Sequence, residues 1–247
     1  MFKEYGELST MLYENKSPVG RTYSGDIDYY YKLLKDTKSL ILEAGVGTGR
    51  ALIPLLQKGL NVEGVDLSAE MLAQCKVNLE KYGVESMLYQ QDLTKMSLPN
   101  KYGAIMMPTG SFCLLPKEII GDVLKSFYNH LDEGGSVILD LILPTEFVPG
   151  EVASQVYDFG DGSGILFTVN SQEIDWVAQK VSYIHRYELL EKGQIKQTEV
   201  SNFTLYWYGI SEFKMLLKSA GFSEINHVFG YGDDSQKSLI TFMAKKG

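Results

Sequence analysis

A glycine-rich turn between a predicted strand and a predicted helix constrains this chain more than any other feature. Residues 42–50 read LEAGVGTGR, which places Gly45, Gly47 and Gly49 at alternate positions. Glycine lets the backbone turn tightly and approach a ligand closely, and free N–H groups at a helix start favour a carboxylate or a phosphate. A turn without any ligand is the simpler alternative, but three glycines at one turn disfavour it. We therefore expect an anionic ligand group to bind here.

The spacing of these glycines also restricts the kind of ligand. A nicotinamide dinucleotide fingerprint, G-x-G-x-x-G, would require glycine at position 50, where this chain has Arg50. Glu43 ends the preceding predicted strand, where its carboxylate would repel a pyrophosphate but can hydrogen-bond to an ammonium group. The pattern disfavours a nicotinamide oxidoreductase and favours a ligand that carries both charges, as an amino acid does.

The hydrophobic pattern divides the chain into segments of different type. Over residues 39–143, short apolar runs alternate with amphipathic stretches, which predicts strands and crossover helices in a parallel sheet, with helices expected at about 48–58, 68–82 and 116–130. Residues 145–208 instead predict antiparallel strands separated by Gly and Asp turns, and a helix at 211–220 precedes two further strands. The predicted strands of the main sheet cover residues 39–43, 61–66, 86–91, 102–107, 136–143, 224–229 and 238–244.

We therefore predict an α/β fold with a Rossmann-like, doubly wound and mostly parallel sheet, a C-terminal antiparallel hairpin and an antiparallel β insert. Residues 1–144 are expected to form N-terminal helices and a cofactor-binding core. Residues 145–208 are the insert, which covers the substrate or makes a dimer contact. Residues 209–247 form the last helix and the closing hairpin.

Two aspartates are predicted to lie at the carboxyl edge of the sheet, close to the glycine turn. Asp66 ends the second strand, 23 residues after Glu43, near the ~20-residue offset at which an acid reaches a ribose diol. It can also stabilise the start of the next helix, and both roles are compatible. Asp92 follows the third strand and can accept from an exocyclic amine, although a simple turn aspartate is an alternative interpretation.

Three motifs together carry a family resemblance. E-x-G-x-G-x-G at residues 43–49, VDLSAEML at 65–72 and QDL at 91–93 resemble the class I S-adenosylmethionine-dependent methyltransferases, in their small-molecule branch. The resemblance implies S-adenosylmethionine as the cofactor. The cofactor contacts that it implies within the core are Glu43 for the amino group, Gly45 and Gly47 for the methionine moiety, Asp66 for the ribose, Leu67 and Met71 for the adenine face, and Asp92 with Leu93 for the adenine edge.

Two further segments extend this resemblance. RTYSGDIDYYYKLL at residues 21–34 resembles the N-terminal helix of the same branch, which implies that Tyr23 and Asp26 close over the cofactor. The loop after the fourth strand, MPTGSFCLL, is expected to contribute Pro108 to the wall around the methyl group. Cationic methyl groups are well accommodated by aromatic faces and by a site closed to water.

The same loop restricts the chemistry. The resembled branch often has N-S-F-x-H-L where residues 110–115 read GSFCLL, so a catalytic base in this loop is in doubt. The [DNS]-P-P-[YF] motif expected for methylation of nucleic-acid amino groups is missing. Met106, Met107 and Pro108 provide no oxygen ligands for Mg²⁺, and we therefore expect no metal.

The insert supplies the remaining candidates. His185, in the sequence YIHRY, is the candidate catalytic base, although packing on a strand would also explain it. Tyr206, Trp207 and Tyr208 precede the last helix, and packing of strands explains many such aromatics. We nevertheless expect at least one of these three to form, together with Phe112, the wall of a closed acceptor pocket over the cofactor methyl.

Charge and hydropathy exclude several other classes. The net charge of −8 argues against a nucleic-acid partner. No segment has the roughly 18 apolar residues of a membrane span, and the N-terminus does not read as a secretory signal, so we expect a cytoplasmic monomer or homodimer. The expected activity is in-line transfer of a methyl group to O, N or C of a small molecule. The alternative is a catalytically silent cofactor-binding module that acts as a sensor or partner subunit.

Overall fold

The computed structural model describes residues 5–233 and 235–247 and contains two β-sheets with six α-helices. The helices are α1 (Glu7–Lys16), α2 (Asp26–Leu34), α3 (Leu52–Gln57), α4 (Ala69–Tyr82), α5 (Ile120–His130) and α6 (Ile210–Ala220). The strands are β1 (Ile41–Ala44), β2 (Val62–Asp66), β3 (Leu88–Gln90), β4 (Tyr102–Met107), β5 (Leu131–Ile142), β6 (Val152–Asp158), β7 (Ser163–Asp175), β8 (Lys180–Glu191), β9 (Gln194–Tyr206), β10 (Phe222–Phe229) and β11 (Leu239–Lys246).

The larger sheet has seven strands in the order β10-β11-β5-β4-β1-β2-β3. Strands β1 to β5 pair in parallel, whereas β11 lies antiparallel between β5 and β10. The predicted doubly wound sheet with a closing C-terminal hairpin is confirmed. Because parallel strands present their carboxyl ends at one edge, the loops after β1, β2, β3 and β4 meet there.

Helices cover both faces of this sheet, which explains why its central strands are continuous apolar runs. All four residues of β1 are buried. On one face, α5 and α6 contribute Phe127 and Phe213 to the largest apolar cluster. On the other, α2, α3 and α4 contribute Tyr30, Leu52 and Leu72 to a second cluster.

Two helices begin later than the sequence pattern predicts. The helix expected from residue 48 begins at Leu52, because Gly49 has a left-handed φ of +86° and the chain remains in a turn as far as Ala51. The helix expected from residue 116 begins at Ile120, after a short 3₁₀ turn at Lys117–Ile119. Along the described ranges, no helix is both long enough and apolar enough to cross a membrane.

The insert forms a separate antiparallel sheet in the order β6-β7-β8-β9. The first helix, α1, packs against one face of it. Leu8 and Leu12 of α1 are buried in a cluster with Phe167 and Tyr187, and the Leu8 N–H donates to Glu199 Oε2 at 3.1 Å. The N-terminal helix therefore connects the second sheet to the main domain, an arrangement that the sequence pattern does not predict.

The turn after β4 provides a test of how tightly the loop edge is packed. Gly110 has φ +79°, and a Cβ atom there would lie 2.3 Å from Ile142 Cδ1. We expect Gly110→Ala to lower the free energy of unfolding by ~2–5 kcal/mol, since a left-handed alanine costs ~1–2 and overpacking ~1–3. Chemical denaturation of the purified variant measures this change.

Gly134→Ala is the matched control. Gly134 has nearly the same φ, +74°, but no described atom lies within 4 Å of the position of its Cβ. Gly134→Ala should lower the free energy of unfolding only by the cost of a left-handed alanine, ~1–2 kcal/mol. Equal losses in the two variants would contradict the close packing of the Gly110 turn against β5.

Candidate functional site

A cavity of about 530 Å³ lies at the carboxyl edge of the larger sheet. Each of the first four strands contributes to its wall through the loop that follows. The wall includes Gly45 and Gly47 after β1; Asp66, Leu67, Ser68, Glu70 and Met71 at the end of β2 and just after it; Asp92 and Leu93 after β3; Met107, Ser111, Leu114 and Ile119 at the end of β4 and after it; and Tyr5 and Tyr13 from the N-terminal segment. This location is the expected ligand position in an open α/β sheet.

The carboxylate of Asp66 holds the glycine turn to the start of α4. Its Oδ2 accepts from the Gly47 N–H at 2.8 Å, and its Oδ1 accepts from the Ser68 N–H at 2.9 Å. Ser68 in turn caps α4, since its Oγ accepts from the Met71 N–H at 3.1 Å. Burial raises the pKa of Asp66, while the backbone N–H donors lower it. The glycine turn and the α4 start are thus positioned by one side chain.

Glu43 lies buried behind the glycine turn, with only 3% of its surface exposed. Its Oε2 has no hydrogen-bond partner among the described residues. Burial raises the pKa of Glu43 to about 8, although nearby Arg50 lowers it and nearby Asp26 and Asp66 raise it further. Buried polar atoms in native proteins almost always have a partner, so this oxygen is suited to a donor from a ligand.

Arg50, which breaks the dinucleotide fingerprint, has a structural role. Its Nη2 donates to Asp26 Oδ2 at 2.7 Å and its Nη1 donates to the Arg21 carbonyl at 2.6 Å, and both charged side chains are nearly fully buried. The Tyr23 ring lies 5.1 Å from the Arg50 guanidinium. Arg50 therefore fastens the segment before α2 onto the glycine turn. The sequence pattern disfavours a nicotinamide cofactor at Arg50, but it does not predict the ion pair of Arg50 with Asp26.

Asp92 lies on the far side of the cavity, in an exposed position at the end of β3. Its Oδ1 accepts from the N–H and the hydroxyl of Thr94, at 2.8 and 2.7 Å. The Thr94 N–H lowers the pKa of Asp92. Both of these bonds use Oδ1, so Oδ2 can accept from a ligand.

Comparison with known proteins agrees with this geometry. Residues 41–135, which include the glycine turn, Asp66 and Asp92, match the family model of the methyltransferase domain. Residues 41–135 therefore form a methyltransferase domain, and the protein is an S-adenosylmethionine-dependent methyltransferase.

Relatives and solved structures cover most of its length. The dTDP-3-amino-3,6-dideoxy-alpha-D-glucopyranose N,N-dimethyltransferase of Streptomyces fradiae is 24% identical over 183 residues, 73% of this chain and 70% of that protein. An S-adenosylmethionine-dependent methyltransferase from Clostridium acetobutylicum ATCC 824 superposes with a TM-score of 0.77 at 20% identity, over 96% of this chain and 97% of that one. The sugar N-methyltransferase KedS8 from Streptoalloteichus sp ATCC 53650 superposes with a TM-score of 0.76 at 20% identity, over 100% of this chain and 95% of that one.

S-adenosylmethionine is the cofactor of this methyltransferase. The residues present fit it: the unpartnered Glu43 oxygen suits its ammonium group, and the free Asp92 oxygen suits the adenine amine. A Cβ atom on Gly45 would approach Met107 Cε to 3.3 Å, so the glycine keeps the space beside the turn open.

Most of the predicted cofactor contacts of the methyltransferase converge on the cavity. Its wall includes Gly45, Gly47, Asp66, Leu67, Met71, Asp92 and Leu93. Glu43 lies behind the turn, Pro108 is buried beside it, and Tyr23 lies outside, with its hydroxyl 2.5 Å from Ser17 Oγ.

Tyr13 and Ser111 also line the cavity, and sequence reasoning did not select Tyr13. The Tyr13 ring lies 4.0 Å from the position of a Cβ on Gly47, so this side chain covers the glycine turn. Leu8 and Leu12 are spaced as the apolar positions of one helix face, with Tyr13 adjacent. That spacing indicates a helix at α1, but it does not indicate that the helix covers the second sheet and the glycine turn.

The aromatic residues expected over the methyl group lie elsewhere in the methyltransferase. Phe112 and Tyr208 are buried in the core, where both rings pack against Phe213, at 5.3 and 5.4 Å between centroids. Tyr206 and Trp207 border a separate cavity of about 270 Å³ beside the segment after β5. The left-handed Gly110 turn begins the 3₁₀ helix at Ser111–Leu114, in which Phe112 is fully buried. None of the four is a wall residue of the cofactor cavity.

His185 lies on the face of the second sheet that α1 covers in part. Its ring stacks on Phe203 at 4.6 Å between centroids and lies 5.2 Å from the Phe167 ring. Burial lowers the pKa of His185 to about 4, and the charge of Lys16 lowers it further, so the imidazole is neutral at neutral pH. His185 is not a wall residue of the cofactor cavity.

Cofactor binding should depend steeply on Asp66. Asp66→Ala removes the acceptor of two backbone donors and the predicted ribose contact, and each hydrogen bond to a charged group contributes ~1.5–3 kcal/mol. We expect the Kd for S-adenosylhomocysteine to rise at least about tenfold in calorimetry. Asp36→Ala, at an exposed position, is the control and should bind normally. Wild-type affinity in Asp66→Ala would contradict the assigned site.

Proposed function

We propose that this methyltransferase methylates a nitrogen atom of a small-molecule amine. We also propose that the cofactor lies along the cavity, with its methionine carboxylate at the glycine turn and its ammonium group at Glu43. In this arrangement Asp66 binds the ribose hydroxyls, Leu67 and Met71 pack on the adenine, and Asp92 with the Leu93 backbone binds the adenine edge. Tyr13 covers the methionine end, while Tyr23 and Pro108 support the site from outside the cavity wall.

When bound, S-adenosylmethionine supplies an activated methyl group that a nucleophile displaces from sulfur in line. The chain's contribution is to orient the two reactants and to exclude water, and orientation can supply much of the rate enhancement. Tyr13, over the glycine turn, restricts the approach of water from the N-terminal side.

The acceptor site that we propose is an aromatic face on the second sheet, formed by Phe147, Phe167, Tyr183, His185 and Phe203. The ring of Tyr183 lies 5.2 Å from Phe147 and 5.9 Å from His185, so the rings form a continuous row. Only Phe167 of this set is buried, and the others are partly exposed. Aromatic faces stabilise the positive charge that an amine nitrogen acquires as it gains a methyl group, which suits an amine acceptor.

Helix α1 connects this aromatic face to the cofactor cavity. Tyr13 lines the cavity, and Lys16, one turn later, places its Nζ 5.4 Å from the Phe167 ring centroid. The positive charge of Lys16 disfavours a protonated amine nearby and so favours the nucleophilic form. This adjacency supports our proposal that residues 145–208 cover the acceptor.

The observation that carries the proposal is the neutral, half-buried His185 in this row. An amine that gains a methyl group must lose a proton, and the His185 imidazole, a weak base because its pKa is lowered, can pass this proton on to solvent. The Streptomyces fradiae relative is an N,N-dimethyltransferase of a nucleotide-linked amino sugar and KedS8 is a sugar N-methyltransferase, which supports a nitrogen acceptor.

A matched pair of acceptors tests the accepting atom. A nucleotide-linked amino sugar and its hydroxyl counterpart differ only at the candidate nucleophile. We expect release of S-adenosylhomocysteine and a mass gain of one methylene with the amine, and neither with the hydroxyl compound. Transfer to the hydroxyl compound at an equal rate would overturn the assignment to nitrogen.

His185→Gln tests the proton acceptor. We expect kcat to fall by roughly 100-fold while the Kd for S-adenosylhomocysteine is unchanged, because general base catalysis typically contributes ~10²–10⁴-fold. His227→Gln is the matched control, since His227 also stacks on a phenylalanine but lies on β10. If the two variants lose kcat equally, His185 is not the proton acceptor.

A further inference from the structure

Two strained residues bind the same buried carboxylate oxygen. The Thr109 N–H and the Tyr231 hydroxyl donate to Asp140 Oδ2, at 2.7 and 2.6 Å. Both residues have left-handed backbones although neither is glycine, with φ of +55° and +56°. The Thr241 hydroxyl donates to Asp140 Oδ1 at 2.7 Å. One side chain on β5 therefore joins the loop after β4, the turn after β10 and β11.

This arrangement is costly for the fold alone. Asp140 is fully buried, and the three donors that bind it are neutral. A buried carboxylate has a large desolvation penalty, and a left-handed β-branched residue such as Thr109 adds roughly 1–3 kcal/mol. Strain of this kind persists only where the surrounding contacts impose it, and it is common at functional sites.

The position of Thr109 relates this strain to the cofactor cavity. Met107 and Ser111, two residues away on either side, both line the cavity. A Cβ on Gly45 would lie 3.3 Å from Met107 Cε and 3.7 Å from Ser111 Cβ. The turn at residues 108–111 thus packs beside the glycine turn and contributes Ser111 to the cavity wall, and the Thr109 N–H anchors its centre.

We propose that Asp140, Tyr231 and Thr241 form a positioning group that fixes the turn at residues 108–111 against the bound methyl donor. The inference rests on the cofactor placement of the proposed function, but not on the nature of the acceptor. The group does not touch substrate. It acts by holding Thr109 in a conformation that the residue would not adopt alone.

The positioning group can be studied through the ionisation of Asp140. Burial raises its pKa to about 6, while hydrogen bonds from Tyr231, Thr241 and the Thr109 N–H lower it. Tyr29 and Tyr30 of α2 and Cys113 also face this carboxyl, and its charge raises the pKa of each. Protonation removes the negative charge and so weakens the hydrogen bonds that Oδ2 accepts from the Thr109 N–H and the Tyr231 hydroxyl.

The effect of Asp140 protonation on the Thr109 turn can be distinguished from unfolding by the way in which folding stability depends on pH. Because the folded-state pKa of Asp140 is above its ordinary value of about 4, the folded state binds more protons at this group than the unfolded chain does between about pH 4 and 6. Protonation here therefore does not lower the stability of the fold. It should instead weaken the hydrogen bond that holds the Thr109 turn.

The first test observes the turn directly by NMR. The Thr109 amide resonance of the wild-type protein should titrate near pH 6 in the absence of any ligand. Tyr231→Phe removes a hydrogen bond that lowers the pKa, so the midpoint should move to higher pH. Asp140→Asn should abolish the titration. A Thr109 amide that is insensitive to pH through this range, or to both substitutions, would overturn the proposal.

The second test separates positioning from stability. Thr109→Gly removes the backbone strain, so the melting temperature should be equal or higher, yet the turn becomes less restricted. We expect kcat to fall by about tenfold or more, since small misplacements can cost ~100-fold, with the Kd for S-adenosylhomocysteine unchanged. An unchanged kcat in this variant would overturn the proposal.

Asp140→Asn serves as the conservative rescue. Its amide oxygen can accept from Thr109 and Tyr231 while its NH₂ donates to Thr241, so most of kcat should be retained, whereas Asp140→Leu should lose it. Equal kcat for the folded Asn and Leu variants would contradict a positioning role. If the wild-type protein did not bind S-adenosylhomocysteine, the proposed function would fail instead, and the ligand-free NMR titration would still decide the link from Asp140 to Thr109.

Discussion

The pair of hydrogen bonds that Asp66 accepts is the interaction on which the cofactor site depends. One oxygen binds the glycine turn after β1 and the other binds the start of α4 after β2. These two segments are adjacent only because β1 and β2 are parallel neighbours. Asp66 converts that adjacency into a fixed geometry, with the glycine turn, the start of α4 and a carboxylate at one cavity.

A second layer of contacts fastens the N-terminal segments onto this edge. Arg50 and Asp26 form a buried ion pair that holds the start of α2 beside the glycine turn. Breaking such a pair is far more costly than its net contribution suggests, because it leaves a buried charge without a partner. Glu43 belongs to the same charged group, and its unpartnered oxygen is the feature that an ammonium group would satisfy.

The acceptor site that we propose lies on a different sheet from the cofactor cavity. Helix α1 contacts both, with Leu8 and Leu12 on the second sheet and Tyr13 at the cofactor cavity. The aromatic face around His185 can therefore differ between related chains without disturbing the contacts around Asp66.

The sequence patterns correctly predicted those features of the fold that depend on local geometry and on parallel strand pairing. The positions of the central strands follow from short apolar runs, and the shared edge of Asp66 and Asp92 follows from the parallel sheet. Phe112 was misplaced because its direction depends on the left-handed turn at Gly110. The Asp140 group could not be predicted, since its bonds to Tyr231 and Thr241 span 91 and 101 residues of sequence.

The most direct measurement is a crystal structure of the protein with S-adenosylhomocysteine. We expect the ribose hydroxyls on Asp66, the amino group toward Glu43, and the sulfur facing the turn at residues 108–111, on the side of the second sheet. A cofactor bound in the reverse direction, with its adenine at the glycine turn and its sulfur beside Asp92, would contradict this placement.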